Sequence, residues 1–324
     1  MLVLGIESSA HTFGVGIAKD GKIIANEKSM YDVGTTGMIP KKVAEFHISN
    51  SNNVIRKALK TAGLSIRDIE GIGYTKGPGI GNCLQVGQII AKTLAVRLGI
   101  PMADVNHGLG HIEIARLMSR LEDPVVLYVS GGNSQILKAT GKRYRHYTIL
   151  GETFDIGVGN MLDSFARSLK LVPSWGSTVE KTAIGGRYVD MPYTVKGMDF
   201  SFTGLLTHSI KQINKHTKQD ICYSIQETAF SMLCEATERA LLLTNSDEIC
   251  VCGGVAQNTR LKEMLSKIAL SHHSKFGFSE NQFNADNGAM IAFVAERMLS
   301  NGYKIKIKDC RIEQRYRVDR AVVF

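Results

Sequence analysis

The feature that most constrains the fold of this chain is an opening of three strands joined by short turns, which occurs twice. The first copy predicts strands at residues 2–8, 13–18 and 22–26. The second copy predicts strands at residues 125–130, 134–139 and 144–149. Short turns at Asp20-Gly21, Gly131-Gly132 and Gly141-Lys142 separate neighbouring strands, and helices that alternate with single strands follow each copy. This pattern predicts an α/β protein with two similar halves.

The remaining segments supply the helices and strands of the two halves. Pro40 at a first-turn position and Gly63 as a stop bound the first long helix. Helices are predicted at 40–61, 81–98, 160–169, 203–214, 220–244, 259–269 and 285–300, and strands at 71–75, 102–105 and 248–252. The repeat resembles the duplicated ribonuclease-H-like lobes of the actin, sugar-kinase and chaperone-ATPase (ASKHA) superfamily. That resemblance implies lobes at 1–121 and 122–324, with the final helix and tail returning to the first lobe and a nucleotide cleft between the lobes.

The composition of the chain indicates which kind of partner it binds and which cellular compartment it occupies. The net charge is +9, with 39 basic and 30 acidic residues among 324, which favours a polyanionic partner such as RNA; an unspecialised basic surface is the alternative. The six cysteines include no CxxC pair, so they are expected to be reduced thiols in a cytoplasmic protein. Glu7 interrupts the apolar N-terminus, which predicts a buried strand in place of a signal peptide. No apolar run approaches the ~20 residues that a membrane span needs.

The C-terminal tail alternates lysine with isoleucine. Lys304, Lys306 and Lys308 flank Ile305 and Ile307, and this period of two predicts a strand with one cationic face. Lysines that protect the edge of a sheet explain the pattern better than a dedicated RNA contact does. Arginines follow at positions 311, 315, 317 and 320.

Two histidines four residues apart form the sharpest chemical signal. His107 and His111 would share one face of a helix, where both imidazoles can reach one metal ion. The residue after the first histidine is Gly108, whereas a zincin protease carries its general-base glutamate there. A metal site is therefore favoured over a protease site, and coincidental surface or core histidines are the alternative. Further ligands must come from distant parts of the chain.

Two other local patterns are candidates for site residues, and each has a structural alternative. Asp286 stands where a loop enters the last long helix, and the residues by themselves favour an N-cap there. Three glycine-rich turns, at 130–133, 155–160 and 253–258, could hold phosphate or ribose by their backbone N–H groups. The last of them follows a strand and opens a helix, which suits anion binding. None is followed by the Gly-Lys-Ser/Thr of a P-loop, and purely structural turns are the alternative.

Together these segments resemble the universal tRNA threonylcarbamoyltransferase family, known as TsaD in bacteria and as the catalytic subunit of the KEOPS complex in archaea and eukaryotes. The resemblance runs nearly end to end and covers residues 5–12, 75–79, 106–111, 128–133, 155–163, 198–206, 253–261 and 286–292. The Ala10-His11-Thr12 form resembles the archaeal branch, because bacterial members usually carry Cys-Asp at this place.

The resemblance implies a metal site and a nucleotide site. One divalent ion, iron or zinc, would be held by His107, His111, Tyr128 and Asp286, which changes the interpretation of Asp286 from cap to ligand. An adenine nucleotide, either ATP with Mg²⁺ or threonylcarbamoyl-adenylate, would contact Ser130, Gly131, Gly132, Asn133, Gly159, Asp163, Gly176, Glu180 and Asn258. The two carboxylates in that set would accept hydrogen bonds from the ribose, and ordinary helix-surface carboxylates are the alternative. Family members usually carry a Phe-Pro-Gly-Gly-Pro-like loop where this chain has residues 172–178, and only Gly176 keeps its place.

The resemblance also implies a reaction and a set of partners. The threonylcarbamoyl group of threonylcarbamoyl-adenylate would pass to the N6 amine of an anticodon-loop adenosine in tRNA, with AMP released and with Glu7, His107 and His111 as catalytic residues. A purely structural carboxylate is the alternative for Glu7. His11 and His47 would position substrate. Partners would be tRNA, a small atypical protein kinase subunit, a small dimerisation subunit and a further KEOPS accessory subunit, which would contact residues 40–59. In some archaeal relatives the kinase is fused after this module.

Three other functions fit parts of the sequence. A metallopeptidase would need a general base beside the histidines, and none is evident in the sequence. A sugar-kinase-like ATPase would transfer phosphate and would lose little when His107 is changed. A nucleotide-binding scaffold without catalysis would not need to retain His107, His111 and Asp286.

Overall fold

The computed structural model describes residues 1–32, 38–141 and 145–323. The strands of these residues are β1 Leu2–Glu7, β2 Thr12–Lys19, β3 Lys22–Met30, β4 Gly71–Gly77, β5 Met102–Asn106, β6 Val125–Val129, β7 Ser134–Thr140, β8 Arg145–Glu152, β9 Val195–Lys196, β10 Asp199–Phe200, β11 Glu248–Cys252, β12 Lys275–Phe278 and β13 Val322–Val323. The helices are α1 Pro40–Ala62, α2 Gly81–Leu98, α3 His107–Ser119, α4 Val158–Ser168, α5 Gly176–Thr182, α6 Thr203–Gln212, α7 Lys218–Leu243, α8 Thr259–Ser271, α9 Asn281–Asn284 and α10 Gly288–Ser300.

The chain forms two compact units. The first consists of Met1–Ile114, Thr140–Tyr147 and Ala285–Phe324, and the second consists of Ala115–Ala139 and Thr148–Asn284. The first unit therefore joins the N-terminal strands to α10 and to the C-terminal tail. The division of the chain at residue 121 stays a prediction.

A five-stranded sheet forms the centre of the first unit, in the order β3-β2-β1-β4-β5. The first three strands pair antiparallel, whereas β1, β4 and β5 pair parallel. Parallel neighbours need crossover connections, which α1 supplies between β3 and β4 and α2 supplies between β4 and β5. The carboxyl ends of the parallel strands consequently lie at one edge of the sheet. Glu7, Gly77 and Asn106 are the terminal residues at that edge.

The second sheet has the order β12-β11-β6-β7-β8-β13. β6 pairs antiparallel with β7 and parallel with β11, which in turn pairs parallel with β12. One face of β6 buries Val125, Leu127 and Val129 in an apolar core that includes residues of α4 and α7. Both sheets thus contain three consecutive strands followed by parallel strands that helices connect, as the repeated opening predicts.

Most element bounds agree with the sequence pattern to within a few residues. Gly63 ends α1 with a left-handed φ of 67°, where its missing Cβ removes the steric cost, and its N–H donates to the carbonyls of Leu59 and Lys60. The strand predicted to end at residue 26 continues to Met30. The strand β12 and the helix α5 were not predicted. The predicted turn residue Lys142 and the predicted strand start at Tyr144 lie outside the described residues.

The predicted strand at 304–308 is wrong. Ile305 makes one isolated antiparallel bridge with Met102 of β5, where its N–H donates to the Met102 carbonyl at 3.0 Å. The chain then turns into a 3₁₀ helix at Ile307–Asp309. Ile305 and Ile307 pack on the apolar core and the lysines are exposed, so the alternating burial is present without a strand. The 3₁₀ turn is what brings the next buried side chain, Cys310, onto the same core.

Two general properties of the described residues bear on the setting of the protein. No helix among them combines the length and the apolar character that crossing a bilayer requires. The six cysteines are all buried and none forms a disulfide. Burial raises the pKa of the Cys83 thiol to about 11, so this side chain is a protonated, unreactive core group at neutral pH.

The contact that orders the first unit is a direct approach of backbones between α10 and strands β1 and β2. A Cβ atom on Gly5 would lie 2.1 Å from the Ala292 nitrogen, and one on Gly16 would lie 2.3 Å from the Ala289 nitrogen. From the other side, a Cβ on Gly288 would lie 2.2 Å from the Gly16 nitrogen. Any side chain on these glycines would therefore meet backbone, which cannot rotate out of the way. The start of α10 is thereby held in one position on the sheet.

We expect Gly5→Ala to destabilise the protein by about 3 kcal/mol or more, at the upper end of overpacking costs, because its methyl group would overlap the backbone of α10. Urea unfolding followed by circular dichroism measures the change. The matched control is Gly204→Ala in α6, where an added Cβ meets nothing within 4 Å. That change should be neutral or stabilising by up to ~1 kcal/mol, because alanine favours the helix. Equal effects of the two substitutions would contradict the importance of the α10 contact.

Candidate active site

Glu7 is the last residue of β1 and is completely buried. Its Oε1 accepts a hydrogen bond from the Ser9 backbone N–H at 2.6 Å, and its Oε2 accepts one from the Thr75 hydroxyl of β4 at 2.7 Å. The same Oε2 lies 3.0 Å from Nδ1 of His107. Burial acts to raise the pKa of Glu7, but the charge and hydrogen bond of His107 outweigh it, so the pKa is lowered. Glu7 is therefore an ionised carboxylate at the carboxyl edge of the first sheet.

His107 is the first residue of α3 and follows β5 directly. The side-chain oxygen of Asn106 accepts a hydrogen bond from the Leu109 N–H at 3.0 Å, which satisfies one of the unpaired donors of the first turn. A sharp strand-to-helix junction thus presents the His107 ring to Glu7. Because an ionised carboxylate can only accept a hydrogen bond, Nδ1 of His107 carries a proton, and Nε2 faces away from Glu7. Burial acts to lower the pKa of His107, but the charges of Glu7 and Asp286 outweigh it and raise the pKa to about 9.

His111 lies one helical turn after His107, as the spacing predicts, and the two ring centroids are 4.8 Å apart at an interplanar angle of 86°. Oδ1 of Asp286 lies 3.4 Å from Nε2 of His111 and 3.5 Å from Nε2 of His107. Burial and the charge of His107 lower the pKa of His111. The structure therefore brings two imidazoles and one carboxylate together, although His107 and Asp286 are 179 positions apart in the sequence.

The N-cap interpretation of Asp286 is wrong. The cap of α10 is the next residue, Asn287, whose side-chain oxygen accepts a hydrogen bond from the Met290 N–H at 3.0 Å. Asp286 therefore does not cap the helix, and its carboxylate lies beside the two histidines. Burial acts to raise the pKa of its carboxyl, but the positive charge of His107 and the hydrogen bond of His111 hold that pKa well below its usual range.

The His107, His111 and Asp286 side chains fit a divalent metal ion. Their ligand atoms all lie within 4.8 Å of one another. Tetrahedral bonds of ~2.1 Å place ligand atoms about 3.4 Å apart, which matches both histidine-to-carboxylate distances. Glu7 and Asp286 are both ionised, so the buried group carries more negative than positive charge unless a cation joins it. Nitrogen and carboxylate ligands of this kind suit iron and zinc alike.

The sequence also predicted roles for Tyr128, His47 and His11, and each of these residues lies in a different element or loop of the structure. Tyr128 is a buried residue of β6 in the second unit, and its role as a ligand stays a prediction. His47 is buried in α1 with its ring centroid 5.6 Å from that of Phe13, and burial lowers its pKa to about 4. His47 is therefore neutral at pH 7. His11 is half-buried, and its carbonyl accepts the Tyr31 N–H.

Residues 130–133 form the first of the predicted nucleotide loops, in the second unit. The Ser130 N–H donates to the Asn133 carbonyl at 2.8 Å, and the Ser130 hydroxyl accepts the Asn133 N–H at 3.0 Å, which closes the turn. The N–H groups of Gly159 and Asn160 donate to the carbonyls of Ser130 and Gly131. The loop therefore packs directly on the first turn of α4. An added Cβ on Gly132 would meet nothing within 4 Å, so the outer side of the loop is open.

The other predicted nucleotide residues form one connected group with this loop. Asp163 follows Gly159 by four residues in α4, and its Oδ1 accepts the Gly176 N–H at 2.7 Å. Gly176 begins α5, which carries Glu180, and Oε1 of Glu180 accepts the Thr259 N–H at 2.8 Å. Each carboxylate thus joins its own helix to the first residue of another helix, a role that the sequence did not indicate. Their use as ribose acceptors stays a prediction.

The turn at 253–258 differs from the predicted strand-to-helix junction. Gly253 has φ 95°, and a Cβ there would lie 2.3 Å from the Val129 carbonyl, so this position requires glycine. A 3₁₀ turn at Gly254–Gln257 then precedes α8. The side-chain oxygen of Asn258 accepts the N–H groups of Arg260 and Leu261, so this side chain caps the helix and satisfies its first donors. Because Asn258 already accepts these N–H groups of α8, an anion would have to bind the N–H groups of the glycine turn instead.

Three residues that support the site were not predicted as site residues. Ser9 and Thr75 hold the carboxylate of Glu7, and Asn106 caps the helix that begins at His107. All three stand at or just beyond the carboxyl ends of β1, β4 and β5. The available signal was their position near the ends of apolar strands, where small polar side chains serve as local hydrogen-bond partners.

Comparison with known proteins agrees with this arrangement. The chain is similar to a solved structure of Acidaminococcus fermentans (R)-2-hydroxyglutaryl-CoA dehydratase component A, with a TM-score of 0.57 and 16% identity over 93% of this chain and 99% of that one. At this identity the likeness concerns the fold alone, and it confirms the predicted α/β fold class.

Two curated relatives are much closer in sequence. The chain is 43% identical to the tRNA N6-adenosine threonylcarbamoyltransferase of Thermococcus kodakarensis, over 100% of this chain and 99% of that protein. It is 45% identical to the probable bifunctional tRNA threonylcarbamoyladenosine biosynthesis protein of Thermoplasma volcanium, and it spans 61% of the length of that protein. The family model described as TsaD, tRNA N6-adenosine threonylcarbamoyltransferase, matches residues 21–293. The chain therefore belongs to the tRNA N6-adenosine threonylcarbamoyltransferase family.

Proposed function

We propose that this protein transfers the threonylcarbamoyl group of threonylcarbamoyl-adenylate to the N6 amine of an anticodon-loop adenosine in tRNA. The bond from N6 to the carbamoyl carbon forms, the bond from that carbon to the phosphate oxygen breaks, one N6 proton is lost, and AMP leaves. The observation that carries the proposal is the His107, His111 and Asp286 group with ligand atoms within 4.8 Å, in a chain of this family.

In this proposal the residues of the first unit prepare a metal site. His107, His111 and Asp286, with Tyr128 as a further ligand, would hold one iron or zinc ion. Such an ion would act as a Lewis acid toward the carbamoyl carbonyl. Glu7 accepts a hydrogen bond from the Nδ1–H group of His107. This bond orients the ring so that Nε2 is directed at Asp286. Ser9 and Thr75 in turn hold Glu7, which makes the orientation rigid.

The second unit would bind the nucleotide part of the adenylate, or ATP with Mg²⁺. Backbone N–H groups of the 130–133 loop and the start of α4 would face phosphate oxygens, and Gly132 leaves room for close approach. Asp163, Glu180 and Asn258 would contact ribose and base. The loop at 172–178 differs from the usual family form, but Gly176 keeps its N–H bonded to Asp163, which supports the same local geometry.

The proposed partners are tRNA, a small atypical protein kinase subunit, a small dimerisation subunit and a further KEOPS accessory subunit. The chain spans 61% of the length of the Thermoplasma volcanium relative, whose name describes a bifunctional protein, and this supports a second functional module beside this one in that relative. Contact through α1 is proposed for the partner subunits. All six cysteines are buried and none of them forms a disulfide, which supports a reducing, cytoplasmic setting.

The first test removes a metal ligand. With synthase, ATP, bicarbonate, tRNA and the partner subunits supplied, we expect His111→Ala to lower threonine incorporation by more than about 100-fold. Bound metal, measured by mass spectrometry, should fall from about one ion per chain to a small fraction. His216→Ala, an exposed histidine of the second unit, is the control and should change neither quantity. Full incorporation by the His111 variant would overturn the metal mechanism.

The second test separates positioning from metal binding. Glu7→Gln keeps the shape of the side chain but removes the anionic acceptor for Nδ1 of His107. We expect metal affinity and transfer rate to fall together by about 10- to 100-fold, as for other groups that orient a metal ligand. Asp190→Asn, at an exposed carboxylate of the second unit, is the control. A loss of transfer with unchanged metal affinity would assign Glu7 to the reaction itself.

The third test concerns the open glycine loop. A Cβ added at Gly132 meets nothing within 4 Å, so we expect Gly132→Val to leave the thermal midpoint of unfolding nearly unchanged. The same side chain would stand where a nucleotide must approach the backbone, and we expect affinity for AMP to fall at least about tenfold, which corresponds to ~1.4 kcal/mol. Isothermal titration calorimetry measures this. Unchanged affinity would place the nucleotide elsewhere.

A further inference from the structure

The C-terminal tail crosses the carboxyl edge of the first sheet beside the candidate metal centre. We call residues 311–320 the arginine strap. The Tyr74 hydroxyl donates to the Arg311 carbonyl at 2.8 Å, and the Asn106 side chain donates to the Tyr316 carbonyl at 2.9 Å. Asn106 immediately precedes His107. The strap is therefore hydrogen-bonded to Asn106, the residue next to the candidate metal ligand His107.

Two further backbone contacts fix the strap on β4 and the loop after it. The Glu313 N–H donates to the Lys76 carbonyl at 2.8 Å, and the Gly79 N–H donates to the Gln314 carbonyl at 3.2 Å. A Cβ on Gly77 would lie 1.8 Å from the Glu313 carbonyl oxygen, so the two backbones are in direct contact. Such contacts give the strap one backbone position and preorganise the side chains that it carries.

The side chains that leave the strap are predominantly cationic and exposed. Residues 311–320 contain four basic residues, all of them arginines, and two acidic residues. The exposed arginines of the strap are Arg311, Arg315, Arg317 and Arg320, and Arg317 pairs with Asp319 at 3.2 Å. Buried anchors alternate with them, such as Val318. The strap therefore presents guanidinium groups outward from a fixed base.

Protection of a sheet edge explains the lysines but not these arginines. Ile305 bridges Met102 of β5, so Lys304 and Lys306 flank the outer edge of the sheet, where lysine discourages pairing with other strands. The strap lies beyond that bridge and crosses the strand ends in place of following the edge. Its charges consequently need a different explanation.

We propose that the arginine strap binds the phosphate backbone of tRNA next to the target adenosine. This inference rests on the proposed function. An N6 amine that reacts at the His107 centre brings its neighbouring phosphates close to a segment anchored on Asn106. Guanidinium groups match phosphate oxygens by two parallel hydrogen bonds, and each phosphate neutralised by a basic side chain adds to the salt dependence of RNA binding.

The test compares variants of the full chain in tRNA binding at several salt concentrations. The triple variant Arg311→Gln, Arg315→Gln, Arg320→Gln removes three charges and leaves the ion-paired Arg317 in place. We expect tRNA affinity to fall about tenfold or more at moderate salt, and the slope of log affinity against log salt to decrease by about 2, at ~0.7 for each lost phosphate contact. The Arg→Lys triple variant should retain most of the slope.

The matched control removes the same charge from exposed lysines of the second unit, with Lys196→Gln, Lys215→Gln, Lys267→Gln. An equal loss of slope in the control and strap variants would overturn the inference, because the effect would then reflect net charge alone. An unchanged slope in the strap variant would overturn it as well. The wild-type chain with its partners could show a steeper salt dependence of tRNA binding than the strap variant and still transfer no threonine. The strap inference would then hold and the proposed function would fail. If transfer proceeds with strap-independent binding, the function stands and the strap inference fails.

Discussion

The backbone of α10 lies directly on the backbones of β1 and β2, and the geometry of the candidate metal centre depends on this contact. The glycines at positions 5, 14, 16 and 288 have no Cβ where these backbones meet. Asp286 precedes that helix by two residues, and Glu7 ends β1 on the same sheet. A shift of α10 by the width of one methyl group would move Asp286 away from both histidines. The packing of α10 therefore fixes where the Asp286 carboxylate lies relative to them.

Electrostatics then make this group of side chains suited to a cation. Glu7 is buried and Asp286 is half-buried, and both carboxylates remain ionised because His107 lies between them, 3.0 Å from the first and 3.5 Å from the second. Burying an unpaired charge is costly, so the arrangement is favourable only when positive charge joins it, either as a proton on His107 or as a metal ion. The same carboxylate that orients His107 leaves Nε2 directed toward the other ligands.

In the second unit, three of the predicted nucleotide residues make structural contacts of their own. Asp163 and Glu180 each accept a backbone N–H from the first residue of another helix, and Asn258 caps α8. Substitution of any of them would disturb these helix contacts. Gly132 provides the cleaner test, because a Cβ added there would meet nothing within 4 Å.

The sequence by itself determined the two-fold repeat of strands, the helix that begins near His107, and the pairing of His107 with His111. Those features depend on local periodicity and on spacing along one helix, which a sequence displays directly. The family resemblance added Asp286, whose local pattern had favoured a cap. Only the tertiary structure decided between Asp286 and Asn287 for that cap, since both are good capping residues and the choice depends on which side chain the packing of α10 turns toward the histidines. It also decided that residues 304–308 make a single bridge and a 3₁₀ turn, and that the arginines beyond them lie across the ends of β4 and β5. Those outcomes depend on contacts between residues more than 200 positions apart, which local patterns do not encode.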